Sequence, residues 1–186
     1  EYRVIHMRHR YKKMIRETFH TDSKIKQVLI KKKIEMKINY SFLEARFIDR
    51  PNRFLTRAEY KGTIVESHLP DPGRLKELLK PGVRILLKRE SGENRKTKFS
   101  TQAVYHDNIL ISLNTLLPNQ FTAHLLLHRK MDFLKEWKIN KQEIKYGKHR
   151  FDFQLRKGNK SMYLEVKSVT LVEKGIAKFP DAITER

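Results

Sequence analysis

Four residues near the end of this 186-residue chain could together do phosphate chemistry: Glu143, Asp152, Glu165 and Lys167. Their alignment follows from two turns. Gly158-Asn159 is a preferred two-residue hairpin turn. Pairing Lys157 with Lys160 across it sets Phe151 opposite Val166, Phe153 opposite Leu164 and Leu155 opposite Met162. One face is then wholly apolar, and a one-residue slip would turn every side chain over. The other face holds Asp152 opposite Glu165 and Arg150 opposite Lys167. Gly147-Lys148, a Gly-X turn, sets Glu143 opposite Asp152 in the same way. Directly opposed Cβ atoms lie about 4.5–5.5 Å apart, where like charges are unfavourable. Two carboxylates at ~5 Å repel by about 3 kcal/mol at an effective dielectric of about 20. A divalent cation offsets that repulsion, and a donor row of oxygen alone favours Mg2+ or Mn2+ over Zn2+. Lys167, two residues after Glu165, projects beside the acids and suits a developing phosphorane charge. This is the layout of a metal-dependent phosphodiesterase. The same residues also admit a surface ion-pair network in which Arg150 and Lys167 simply neutralise the acids. Spacing alone favours the ion-pair network, and the apolar far face and the third aligned carboxylate bring the two readings nearly level.

The elements that must position these residues are a helix and a three-stranded meander. Asn119 is expected to cap an amphipathic helix with Ala123, Leu127, Met131 and Leu134 on one face. Strands are expected at Glu143–Tyr146, His149–Arg156 and Lys160–Val169. Upstream, the runs Phe42–Phe47, Phe54–Tyr60, Thr63–His68, Val83–Lys88, Thr101–Tyr105 and Asn108–Leu113 are separated by turn signals such as Lys61-Gly62, Asp71-Pro72-Gly73 and Pro81-Gly82. They predict a small β-barrel, with a short helix at Arg74–Lys80. The first 50 residues lack Gly and Pro and read as helix, with a break at Thr21-Asp22-Ser23. The organisation is therefore a basic helical extension over 1–40, a barrel domain over 41–115 and an α/β domain over 116–186. The chain begins at Glu1, which reads as a fragment or an upstream over-extension, with Met36 a plausible start.

The formal net charge is +20, from 41 Lys and Arg against 21 Asp and Glu. Such a protein seeks polyanions, nucleic acid first. Residues 1–40 hold 12 Lys and Arg against 4 acids, so much of the excess sits in the extension. The absence of Cys excludes disulfides, thiolate zinc sites and thiol nucleophiles. No apolar run approaches a membrane span, no signal peptide is evident, and no Gly-rich phosphate loop occurs. The expectation is a cytoplasmic protein without a membrane partner; a homodimer is allowed but not required.

Several motifs in order resemble the sugar fermentation stimulation protein A family. They are Asn52-Arg53-Phe54, His68-Leu69-Pro70-Asp71-Pro72-Gly73-Arg74, Asn114-Thr115-Leu116-Leu117-Pro118-Asn119, Glu143 to Gly147 with Arg150-Phe151-Asp152, and Glu165 to Leu171 followed by Phe179 to Arg186. The resemblance covers about 41–186. It implies an α+β chain: an N-terminal OB-fold-like β-barrel, then a PD-(D/E)xK nuclease-like α/β domain, here cut short inside the helix expected after Asp181. It implies DNA binding with little sequence preference, and a proposed role in regulating sugar (maltose) metabolism genes. By position, Asp152, Glu165 and Lys167 fill the nuclease core and Glu143 the accessory acid. Phe151 stands where the nuclease motif is named for Pro, and Asp71 stands where the family has Asn. Arg53, His68, Arg74 and Arg150 are the candidate nucleic-acid contacts, and His68, Asp71 and Arg74 fit a hydrogen-bond network equally well. Three functions follow: a Mg2+-dependent or Mn2+-dependent endonuclease acting on duplex DNA, a non-catalytic DNA-binding regulator retaining a nuclease-like fold, and RNA binding by the barrel.

Overall fold

The computed structural model describes residues 36–173 and the strand segments Tyr2–His6, Ile15–Glu17, Gln27–Val28 and Ile176–Ala177. The break at Thr21-Asp22-Ser23 and the helix after Asp181 lie outside the described residues. Of the first 40 residues, the described ones form three short strands, β1 (Tyr2–His6), β2 (Ile15–Glu17) and β3 (Gln27–Val28), and an irregular stretch over 36–40. This corrects the helical reading of the extension. Tyr2, Val4 and Ile5 are aromatic or β-branched, and an available sheet edge decides such a segment more strongly than its lack of Gly and Pro.

Two compact units make up the chain, Ile38–Thr115, and Leu116–Arg186 with Glu1–Lys37. In the first, β4 (Leu43–Asn52), β5 (Leu55–Tyr60), β6 (Thr63–His68), β7 (Arg84–Arg89), β8 (Phe99–His106) and β9 (Ile109–Ser112) form one sheet in the order β6-β5-β4-β7-β8-β9. β6 also pairs with β8, Ser67 with Phe99 and His68 with Ser100, which closes β4 to β8 into a five-stranded barrel. The long β4 slips register at Phe47/Asp49 and again at Asp49/Asn52, the irregularity that lets a strand bend round a barrel. Ala45, Phe47, Ala58, Ile85, Leu87 and Val104 are buried there. Thr56, Ser67 and Thr101 are equally buried, and their hydroxyls satisfy one another at 2.8 Å. Arg74–Lys80 is a single turn rather than the expected helix. Leu75 sits at φ 52, in the left-handed region, and its carbonyl accepts the Leu79 N–H at 2.8 Å. The burial of Leu75, Leu78 and Leu79 outweighs propensity.

Beside β7, the Glu90 carboxylate accepts hydrogen bonds from Ser100 Oγ at 2.5 Å and Lys88 Nζ at 3.0 Å. Burial pushes its pKa up, but these bonds and the charges of Lys88 and Arg95 prevail and hold it below the ordinary value. A carboxyl lowered on folding stabilises above its unfolded pKa, and that contribution is lost as pH falls through the folded pKa. Glu90→Gln should therefore lower stability at pH 7 by about 1–2 kcal/mol. The gap to wild type should close at pH 3, as read from denaturant midpoints.

The second unit holds α1 (Leu117–Leu127), a 3-10 turn (Asp132–Leu134) and the strands β10 (Lys138–Tyr146), β11 (His149–Lys157) and β12 (Lys160–Lys167), followed by the short pair β13 (Val172–Glu173) and β14 (Ile176–Ala177). The sheet order is β10-β11-β12-β1-β2-β3, with β1 parallel to β12. Phe153, Leu155, Met162 and Leu164 on the meander meet Leu125 and Leu126 on α1, with Met131 and Leu134, in one buried cluster. The helix buries Thr122, Leu125 and Leu126, while Leu127 is 69% exposed, so the expected face of Ala123, Leu127, Met131 and Leu134 is corrected. The helix ends at Leu127 and Arg129 takes φ 51. Met131 and Leu134 thus reach the core from the connection, where a 3.6-residue period no longer applies. Among the described residues no helix is long and apolar enough to cross a membrane.

Candidate active site

Both hairpins adopt the register that their turns predict, as far as the ladders run. Lys157 pairs with Lys160, Leu155 with Met162 and Phe153 with Leu164. Tyr146 pairs with His149, Ile144 with Phe151 and Gln142 with Phe153, before a slip between Ile139 and Lys141. The β11–β12 ladder stops short of Asp152 and Glu165. Instead of standing opposite Glu165 in a regular pair, the Asp152 carboxylate takes the place of a backbone acceptor. Its Oδ2 accepts the Val166 N–H at 2.7 Å, and its Oδ1 accepts Asn119 Nδ2 at 2.7 Å. A half-buried carboxylate with both oxygens engaged is held in one orientation by α1 and β12 together.

Glu165 and Lys167 follow on β12. Lys167 Nζ donates to Glu165 Oε1 at 2.5 Å, with the lysine side chain 42% exposed and the glutamate 26%. Asp152, Glu165 and Lys167 are therefore brought to one end of the β11–β12 pair. Glu143 lies opposite Asp152 in the β10–β11 register, between the pairs Gln142–Phe153 and Ile144–Phe151. Its carboxylate takes an ion pair from Arg150, and both side chains are exposed. Glu143 sits at φ 50, an uncommon conformation for a residue with a side chain, so the strand turns over at this point. Tyr163 alternates with the buried Met162 and Leu164 and so points away from the core. The Phe151 ring lies 5.1 Å from that of Tyr163, which corrects the expected place of Phe151, whereas Val166 packs against the core cluster as expected.

Asn119 is the residue that sequence reasoning missed. It is not the helix cap; Leu116 holds that position without a side-chain cap bond. Pro118 was the available signal, because proline suits the first turn and so puts the next residue inside the helix. Beside Asn119 opens a cavity of about 420 Å3 whose walls include Gln120, His124, Gln142 and Glu143.

In the barrel unit the candidate nucleic-acid residues converge on an arginine that spacing did not single out. The Arg50 guanidinium donates to the carbonyls of Arg53 at 2.5 Å, Gly73 at 2.6 Å, Arg74 at 2.9 Å and Asp71 at 3.3 Å. Asp71 in turn accepts the Gly73 N–H at 2.8 Å, an Asx turn. Arg50 thereby ties together the two loops that carry Arg53, between β4 and β5, and Arg74, between β6 and β7. His68 closes β6 between Leu55 and Ser100.

Among the described residues no group of three or more His, Asp and Glu is gathered to hold a metal ion. The donors that suit one chemically are Asp152 and Glu165. Both are already engaged, Asp152 by Asn119 and the Val166 N–H and Glu165 by Lys167.

Residues 48–113 match the model described as SfsA N-terminal OB domain, and residues 116–186 match Sugar fermentation stimulation protein RE domain. This chain belongs to the sugar fermentation stimulation protein family. A sugar fermentation stimulation protein homolog from Clostridium botulinum strain Hall is 45% identical over 152 residues, covering 81% of this chain and 66% of the relative. Another homolog, from Chloroflexus aurantiacus, is 45% identical over 144 residues, covering 77% of this chain and 56% of the relative. The chain thus spans slightly under two thirds of the first relative and little more than half of the second. A solved structure of Pyrococcus furiosus SfsA in complex with Ca2+ is similar in fold, with a TM-score of 0.72 at 23% identity, covering 80% of this chain and 63% of that one.

Proposed function

We propose that this family member binds DNA and that its C-terminal unit is a nuclease-like domain of the PD-(D/E)xK type, cutting a phosphodiester with a divalent cation. The observation that carries the reading is the Asp152 carboxylate locked between Val166 N–H and Asn119, with Glu165 and Lys167 following on β12. An acid inserted in place of a ladder hydrogen bond is costly for a surface ion-pair network to maintain, and useful where a charge must be aimed. The relative solved with Ca2+ supports a hard, oxygen-seeking cation.

Asp152 and Glu165 would hold the cation, Mg2+ or Mn2+. When bound, it would supply charge for the developing phosphorane and lower the pKa of a water. The chain's own part is positioning. Asn119 and the Val166 N–H fix the Asp152 oxygens. Lys167, now on Glu165, has the reach and exposure to transfer its ammonium to a phosphate oxygen as negative charge grows there. Glu143 and Arg150 lie at the edge, where Arg150 suits a flanking phosphate. The two barrel loops tied by Arg50, bearing Arg53 and Arg74, suit the duplex backbone without reading its sequence.

The test is supercoiled plasmid with Mg2+ or Mn2+, wild type beside Glu165→Ala. Wild type should nick or linearise the plasmid, and the variant should bind it without cutting. If wild type shifts the plasmid on a gel but leaves it intact, the chain is a DNA-binding protein without the reaction. That outcome would favour the reading as a regulator of sugar metabolism genes. The Glu165–Lys167 and Glu143–Arg150 ion pairs are the observation on its side.

A further inference from the structure

The face of the meander turned away from α1 carries a row of rings in contact. Tyr146 and Tyr163 lie 5.1 Å apart, Phe151 and Tyr163 5.1 Å, and His149 and Phe151 6.3 Å. These are offset contact distances for aromatic side chains. Tyr146 is 53% exposed and His149 is exposed, so the row is open at the hairpin tip. A ring row of this kind ordinarily belongs in a core or under a partner. The surrounding charge says which partner. Residues 138–167 hold nine Lys and Arg against three acids. Lys148 lies in the turn beside the pair Tyr146 and His149, while the next pair, Lys145 and Arg150, alternates to the other face. An apolar protein surface would have to desolvate these cations, whereas a polyanion with flat faces satisfies both features.

We propose that the outer face of the β10–β11 hairpin is a stacking platform for unpaired nucleic-acid bases. Tyr146 and His149 offer the exposed rings, Phe151 and Tyr163 hold them in place, and Lys148 in the turn meets a phosphate. A duplex hides its base faces, so the platform selects a single strand, a flap or an opened end. Phe151 directly precedes Asp152, whose carboxylate turns the other way, to Asn119 of α1. The proposal rests on the nucleic-acid reading above and adds the kind of strand that the hairpin takes.

The experiment measures binding of the full chain to a fluorescein-labelled oligothymidylate and to a labelled duplex, at one fixed salt concentration. Wild type is compared with Tyr146→Ala and Tyr146→Phe. Tyr146→Ala should weaken single-strand binding by about tenfold. Tyr146→Phe should restore it, and duplex affinity should stay within about twofold throughout. Tyr146→Ala binding the oligothymidylate as wild type does, or losing both ligands equally, would overturn the platform while leaving duplex binding standing. Wild type binding neither ligand would overturn the nucleic-acid reading itself. Circular dichroism melts of the three proteins should coincide, because the substituted ring is exposed. If Tyr146→Ala melts lower and Tyr146→Phe does not, the ring is structural and the platform is overturned.

Discussion

Asp152→Asn is expected to leave the second unit folded while reducing plasmid cleavage by about 100-fold or more. The size follows from position. Losing a group that merely orients a metal ligand costs about 10–100-fold, and a direct ligand should cost at least the upper end. The fold survives because the new amide oxygen still accepts the Val166 N–H, which lies 2.7 Å from Oδ2 in the native chain. The new amide nitrogen would meet the Asn119 amide nitrogen, now a donor to Oδ1. Asn119 relieves that clash by turning its amide over and presenting its oxygen instead. Asp152→Ala has no such remedy. It strands the Val166 N–H and the Asn119 amide together, each at about 1–3 kcal/mol if buried from water. Thermal melts should therefore place Asp152→Ala well below Asp152→Asn, with both inactive. Asp152→Asn cutting as wild type does would remove Asp152 from the chemistry.

Phe153→Ala should be among the most destabilising single truncations in the second unit. The ring is 1% exposed and heads the fully buried side chains. It packs in the cluster formed by Leu125 and Leu126 of α1 with Leu155, Met162 and Leu164 of the sheet. Removing a buried phenyl costs about 3–5 kcal/mol, from lost transfer energy and the cavity left behind. Whole domains are stable by only about 5–15 kcal/mol, so the unit should be near unfolding at 37 °C. Phe151→Ala removes the same group from a half-buried ring on the opposite face and should cost less than half as much. Denaturant unfolding of the two variants measures the difference. Equal costs would mean that both rings share the core after all.

That comparison also marks how far the residues could be read without coordinates. Gly158-Asn159 and Gly147-Lys148 set both hairpin registers correctly, because a two-residue turn leaves the flanking strands little freedom and an apolar face punishes a slip. The six strands of the first unit were legible for a similar reason, since Gly and Pro turns separate runs of β-formers. What pairing arithmetic assumes is a regular ladder. It fails at Glu143 and Asp152, where one residue takes φ 50 and the other bonds through its side chain to a backbone N–H. Neither event has a local signature, so the regular pair of Asp152 with Glu165 and the face of Phe151 were misplaced together.

The sequence by itself therefore determined which acids and which lysine come to the end of the β11–β12 pair, and that a closed barrel precedes them. Tertiary structure alone decided how the acid is aimed. Asn119 lies 33 positions from Asp152, and Arg50 lies 24 from Arg74, so only the packing of α1 and the bending of β4 bring those partners within hydrogen-bond distance. The first segment shows the same division. Its local composition favoured a helix, and a sheet edge more than 150 residues away in the sequence supplied the hydrogen bonds that made Tyr2–His6 a strand. Local propensities amount to tenths of a kcal/mol per residue, and they yield where a distant edge or core satisfies a whole segment at once.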